Sequence, residues 1–247
     1  MLDSPDRFLL ARRDPALAVL EGFHAVKHAL RFGAEILAAI TPDPGSVLAL
    51  AADLAPDIAA ALAALLRTVG PEEFARSAPS PPPTSLLAVA RRPPVDITTI
   101  LLEPAPPPIV FLDRPNHLGN LGAVVRVAAA AGAAAVLTSG ERDPWHPTAL
   151  RGSAGLHFAL PVACVATLAP ADRPVVAVDP GGEPLPAARI PPRSVLAFGG
   201  ERHGLGEDLL AAAQLRVAIP MRPGVSSLNL ATAAAVVLYA TERRLGT

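Results

Sequence analysis

The chain has 247 residues, 51% hydrophobic and 17% charged, which excludes whole-chain disorder and allows one large domain or two ordinary ones. Lys and Arg number 21 against 22 Asp and Glu, a net charge of −1, so a globally basic nucleic-acid coat and an acidic tail protein are both excluded. One cysteine, Cys164, rules out an internal disulfide framework and a Cys-based zinc site. No charge-free apolar run reaches about 18 residues. The start, with Asp3, Asp6 and Asp14, does not read as a signal peptide. The expectation is a soluble, cytoplasmic protein in which any RNA or DNA site is a local patch.

In chain order, Leu17 to Phe32 has apolar residues at helical spacing and stops at Gly33. Glu35 to Thr41 reads as a strand, closed by the turn Pro42-Asp43-Pro44-Gly45. Two helices follow around 47–54 and 56–67, then a loop over 77–83 and a strand over 86–91. The run Glu103 to Pro108 holds four prolines and reads as a stiff linker. Beyond it strands and helices alternate: strand Ile109 to Asp113, helix 121–131, strand 134–138 and a short helix around 147–152. Strands near 158–165, 174–178 and 194–198 follow, then helix 207–213, strand 215–219 and a final helix over about 227–244. Such alternation predicts an α/β domain with a mostly parallel sheet. Ligands of these sheets sit beyond the carboxyl ends of strands, so the loops after Asp113, Phe198 and Ile219 matter most.

Each of those loops is unusual. Asn116-His117-Leu118-Gly119-Asn120 leads into a helix whose single charge is Arg126, and Asn120 is placed to cap it. Arg126 must either reach solvent along its stem or meet an anion. Gly199-Gly200-Glu201-Arg202-His203-Gly204 follows the strand ending at Phe198, and glycines there allow close approach of backbone to a ligand. It is neither a Gly-x-Gly-x-x-Gly fingerprint nor a P-loop, and ordinary strand–helix connections share such turns. After Ile219-Pro220-Met221, either Ser226 or Ser227 can cap the last helix. Asn229 just inside that helix runs against propensity unless its amide finds a partner across the crevice.

Taken together and in order, Asn-x-Gly-x-x-x-Arg at 120–126, Gly-Glu-x-x-Gly-Leu at 200–205 and Ile-Pro-Met…Ser-Leu-Asn at 219–229 resemble the three signature motifs of the SpoU (TrmH-like) RNA 2′-O-methyltransferases, of the SPOUT superfamily. Arg151-Gly152-Ser153-Ala154-Gly155 is similar to that family's Arg-x-Ser-x-Gly segment. Leu20-Glu21-Gly22, Phe74 and 84–89 are similar to its substrate-binding domain of ribosomal-protein-like fold. The resemblance implies an RNA substrate-binding domain over 1–100, a linker over 101–108 and a methyltransferase domain over 109–247 closed by a deep trefoil knot. It implies S-adenosylmethionine as cofactor, held by Phe198, Gly199, Gly200, Ile219, Met221 and Leu228. A sulfonium cofactor requires no phosphate cradle, and the loops contain none.

The implied reaction is methyl transfer to a ribose 2′-hydroxyl of rRNA or tRNA, an in-line displacement in which alignment contributes much of the rate. Arg126 would stand at the catalytic centre, with Asn120, Glu201, Ser227 and Asn229 arranging it and the substrate. A guanidinium keeps its proton, which favours a clamp on RNA phosphate and ribose over a base. Arg151, Ser153, Arg12, Arg13, Arg91 and Arg92 are candidate RNA contacts, the last four if they gather on one face. His117 and His203 lie in motif loops and are also placed to reach RNA. A homodimer through the knotted domain is implied, with Leu228, Leu230, Val236, Val237 and Tyr239 available for burial.

No metal is expected, since His24 and His28 have no third ligand and read as solvated helix histidines. Cys164 reads as an inert buried strand residue. Trp145 fits equally a base-stacking residue and a loop anchor. At 227–231 the chain runs Ser-Leu-Asn-Leu-Ala where the family often ends in Val and Ser, a change in helix packing. The rival readings are a non-catalytic RNA-binding relative and an adenine-nucleotide enzyme on a Rossmann-type sheet. The missing Gly-x-Gly-x-x-Gly argues against the latter.

Overall fold

The computed structural model describes residues 6–105, 107–168, 172–201 and 203–242. The chain divides into two units, Met1–Pro94 with Trp145–Ala159, and Val95–Pro144 with Leu160–Thr247. In the first, α1 (Asp6–Ala11) precedes β1 (Leu17–Glu21) and α2 (Phe23–Arg31). The segment 17–32, expected as one helix, is thus a strand and a helix joined at Gly22, whose φ of 91° breaks both patterns. Ala18, Val19 and Leu20 are buried in succession and pair antiparallel with the strand Leu87–Arg91, a contact that helical spacing could not reveal. α2 buries Phe23, Ala25, Val26 and Ala29 on one face.

β2 (Ile36–Thr41) follows, and Asp43 caps α3 (Pro44–Leu54) by accepting from the Ser46 N–H at 3.0 Å. α4 (Ala59–Leu65) runs directly into β3 (Leu66–Thr68), which was expected as the end of a helix. Parallel pairing with Ala39–Thr41 of β2 decides those three residues. α5 (Pro71–Ser77) and β4 (Leu87–Arg91) complete a mixed sheet of order β1-β4-β2-β3. Phe8, Val19, Ile40, Phe74, Leu87 and Val89 form its core.

The second unit opens with α6 (Ile97–Leu102), capped by Asp96. Glu103 and Pro107, both in the expected linker, are tied down. Arg173 donates to the carbonyls of Glu103 at 2.9 Å and Pro107 at 3.0 Å, and Arg193 donates to Glu103 at 2.9 Å; Pro106 lies outside the described residues. β5 (Ile109–Asp113), α7 (Leu118–Ala130) and β6 (Ala135–Thr138) come next. α8 (Pro147–Gly152) and a 3-10 turn over Leu156–Phe158 belong to the first unit.

Then come β7 (Val162–Cys164), β8 (Val175–Pro184), β9 (Val195–Gly199), α9 (Glu207–Ala212), β10 (Leu215–Ala218) and α10 (Leu230–Glu242). The sheet order is β10-β8-β9-β5-β6-β7 and every pair is parallel, as the alternation predicts. All residues of β5 and β6 are buried, as in a parallel sheet covered on both faces. Cys164, expected to be buried, is exposed, because it ends β7 at the sheet edge. Trp145 is 5% exposed, with ring centroids 5.1 Å from His157 and 5.2 Å from Phe158, so it anchors a loop. The last helix starts three residues later than expected, and its expected end at 244 lies outside the described residues. No helix among the described residues is long and apolar enough to cross a membrane.

Candidate active site

The chain runs from β5 outward to β7 at one edge and then crosses to β8 on the other side of β5. The middle of β8, the ends of β9 and β10 and the start of α10 line an open cleft of about 340 Å³. Its apolar wall comes from Val178, Phe198, Leu205, Ile219, Met221, Leu228 and Leu230. Gly199, Gly200, Asn120, Glu201, Ser226, Ser227 and Asn229 also line it. All six expected cofactor residues and four of the five expected catalytic ones therefore meet in one cleft. Asp179 and Pro180 line it too. They were missed because only the loops after Asp113, Phe198 and Ile219 were singled out; the same rule, applied to the exit of the strand expected over 174–178, points to them, although β8 in fact continues to Pro184.

The polar side is one hydrogen-bonded run. Glu201 Oε2 accepts from the Asn116 N–H at 3.0 Å, and Oε1 accepts from Asn120 Nδ2 at 2.8 Å. A carboxylate only accepts, so Asn120 must turn its amide nitrogen to Glu201 and its oxygen away. That oxygen accepts from Asn229 Nδ2 at 3.0 Å, and Asn229 Oδ1 in turn accepts from the Ala231 N–H at 2.9 Å. Asn229 is thus the cap of α10 rather than a residue inside it, and its amide does have a partner across the crevice. Asn120 is not a cap: α7 starts at Leu118 with His117 before it. Its place in the first turn leaves its side chain free for Glu201. Partial burial pushes the Glu201 carboxyl up, but the bonds from Asn120 and the Asn116 N–H outweigh this and hold it below its ordinary range.

Gly200 is required by the loop itself. A Cβ there would lie 2.6 Å from the Arg114 carbonyl oxygen, so the glycine lets two loops touch, whereas the expectation was approach to a ligand. The lining carries Asp179 and Glu201 and no Lys or Arg among the described residues. That charge suits a ligand bearing a cation beside an apolar body, and it does not suit a phosphate. S-adenosylmethionine fits on both counts. No group of three or more His, Cys, Asp or Glu placed to hold a metal occurs among the described residues.

Arg126 does not line the cleft; it is exposed on α7. The other arginine candidates for RNA contact, and Ser153, lie in the first unit. Arg12 Nη2 bonds Glu21 Oε1 at 2.7 Å, and Arg151 Nη2 bonds Glu21 Oε2. Arg91 pairs with Glu35 at 2.8 Å, and Arg92 Nε donates to the Leu17 carbonyl at 2.6 Å. Leu17 and Glu21 are the two ends of β1, about 13 Å apart at ~3.3 Å per residue, so these arginines form two groups, while Arg13 is exposed. Ser153, expected at the RNA, is fully buried: its hydroxyl donates to the Leu150 carbonyl, accepts from the Gly155 N–H and meets His157 Nδ1 at 2.7 Å. His28, expected to be solvated, is half-buried. Its Nδ1 donates to the Ala154 carbonyl at 2.7 Å, and burial lowers its pKa. His24, His117 and His203 are exposed.

Residues 107–239 match the SpoU rRNA Methylase family. The chain is 34% identical over 153 residues to the 23S rRNA (adenosine(1067)-2′-O)-methyltransferase of Streptomyces laurentii, covering 55% of this chain and 54% of that protein. It spans about half the length of such curated relatives. The crystal structure of an RNA 2′-O ribose methyltransferase superposes with a TM-score of 0.74 at 29% identity, covering 99% of this chain and 98% of that one. The SpoU methyltransferase AviRb from Streptomyces viridochromogenes, solved with AdoMet, shares the fold at a TM-score of 0.78 and 23% identity, with 97% of both chains covered.

Proposed function

The chain belongs to the SpoU rRNA Methylase family, and from that premise we propose that it is an S-adenosylmethionine-dependent methyltransferase acting on a ribose 2′-hydroxyl of rRNA or tRNA. One observation carries this reading. Glu201, Asn120 and Asn229 form a fixed run of hydrogen bonds along an apolar cleft whose charges, among the described residues, are all acidic. The superposition on an RNA 2′-O ribose methyltransferase and the AdoMet held by AviRb support it.

S-adenosylmethionine would supply the activated methyl group. Phe198, Ile219, Met221 and Leu228 hold its apolar parts, and the backbone around Gly199 and Gly200 holds its polar edge. Glu201 fixes Asn120, and Asn120 fixes Asn229, so the start of α10 presents Ser227 and Asn229 to the substrate in one geometry. Such orientation is worth several kcal/mol of barrier, ~7–11 at the upper end. Arg126 clamps an RNA phosphate and the adjoining ribose, and the phosphate takes part in accepting the hydroxyl proton. The methyltransferase domain closes in a deep trefoil knot, and two copies pair through the face of α10 that exposes Val236 and Tyr239.

The test is Arg126→Lys. Since Arg126 stands outside the cleft lining, the variant keeps wild-type S-adenosylmethionine affinity but loses about 100-fold in methyl transfer, the scale of a misplaced substrate. Normal methylation by the variant would refute the forked clamp. Cofactor binding by wild type without methyl incorporation into rRNA or tRNA would favour the non-catalytic relative.

A further inference from the structure

The end of β5 carries a polar cluster that the proposed reaction does not use. Asp113 is 5% exposed and its two carboxylate oxygens take four bonds. Oδ1 accepts from Ser139 Oγ at 2.9 Å and Arg114 Nε at 3.1 Å. Oδ2 accepts from Arg114 Nη2 at 2.9 Å and from the Gly206 N–H at 2.9 Å. Ser139 follows β6 and Gly206 closes the loop after β9, and these two strands flank β5 in the sheet. One carboxylate therefore ties together the ends of three neighbouring strands.

The backbone beside it is equally committed. Arg114 holds a left-handed φ of 49°, and its N–H donates to Ser139 Oγ at 3.0 Å. A Cβ on Gly140 would lie 3.3 Å from the Arg114 Cα, and one on Gly200 2.6 Å from its carbonyl oxygen. Arg114 is thus clasped between the loops after β6 and β9, and Asp113 fixes its side chain. The loop held this way, Gly199 to Gly206, supplies Gly200, Glu201 and Leu205 to the cleft.

We propose that Asp113 is a positioning residue for the cofactor: by holding Gly206, Arg114 and Ser139 at once it sets the shape of the loop over 199–206. This rests on the reading that the cleft takes S-adenosylmethionine. All four groups facing the carboxylate are donors, so an amide at this position turns an N–H toward a donor in either orientation. One corner of the clasp then opens, and it opens next to the cleft.

The experiment is calorimetric titration of the full chain with S-adenosylmethionine, well below the melting temperature, for wild type, Asp113→Asn, Ser139→Ala and Arg114→Ala. Expected is a Kd raised about tenfold in Asp113→Asn, the factor that one unmade buried hydrogen bond corresponds to. Smaller increases are expected in the other two, with the KM for RNA unchanged throughout. A residue that only stabilises the fold would lower the melting temperature and leave the Kd of the folded protein alone, and that result overturns the proposal. Should Asp113→Asn fail to fold, Ser139→Ala and Arg114→Ala decide: unchanged Kd in both overturns it. Absence of binding by wild type instead overturns the reading of the cleft itself.

Discussion

Replacing Asn120 by Asp changes one atom in the run that orders the cleft. The new carboxylate can still accept from Asn229, but it cannot donate to Glu201, and it sets a second negative charge at the 2.8 Å contact. A lost bond to a charged group is worth about 1.5 kcal/mol. Two like charges near contact repel by roughly 1 kcal/mol in water-like surroundings and about 4 kcal/mol at an effective dielectric of 20. Glu201 is exposed, so the screened end applies. The sum is about 2–3 kcal/mol, or roughly 30- to 150-fold in rate if Asn229 and Glu201 arrange the reacting groups. The loss also depends on pH in a set direction. Paired carboxyls raise one member's pKa, and once protonated it restores a donor between them. Single-turnover methyl transfer with tritiated cofactor should therefore show a large deficit at pH of about 8 that shrinks toward about 5. Equal rates for variant and wild type at both ends of that range would refute the role given to the run.

Gly200→Ala forces a Cβ against the Arg114 carbonyl oxygen, and neither backbone can yield without moving the loop. A destabilisation of about 1–3 kcal/mol together with weaker cofactor binding is expected in melting and titration; a variant matching wild type in both would contradict the loop contact. Ser153→Ala removes a buried hydroxyl with three partners. It should cost about 1 kcal/mol, a fall of roughly 2–4 °C in melting temperature, without raising the KM for RNA. A raised KM at unchanged melting temperature would instead return Ser153 to the RNA surface. On the Asp113 carboxyl, burial acts upward, but the bonds from Arg114, Gly206 and Ser139 prevail and leave its pKa below the ordinary value. A depressed folded pKa gives stability that is present above the unfolded value, about 3.9, and lost as pH falls through the folded one. Asp113→Asn should flatten that acid limb of the melting curve, and an unchanged limb would place the titrating group elsewhere.

The parts legible in the sequence were those in which one physical signal dominates. β5 and β6 are apolar up to their last residues, Asp113 and Thr138, because both sheet faces are covered, and β5 has the bounds read from the sequence. The cleft residues follow from three motifs at strand exits. Illegible parts depend on pairing between distant segments. Leu17, Val19, Leu20, Phe23 and Val26 fit a helical period, yet β4 claims the first three. Leu66–Thr68 is a strand only because β2 lies alongside. The Asp113 clasp requires knowing that β9 and β6 flank β5, and Ser153 looked available until α8 placed it in a core. Charge totals were silent about the first unit, where Glu21 engages both Arg12 and Arg151.

Incubation of the full chain with tritiated S-adenosylmethionine and purified rRNA or tRNA, followed by digestion to nucleosides, tests the central claim most directly. Expected is label in a 2′-O-methylated nucleoside and its loss in the Arg126→Lys and Asn120→Asp variants. Label found on a base, or none in either RNA while the cofactor binds, would contradict it.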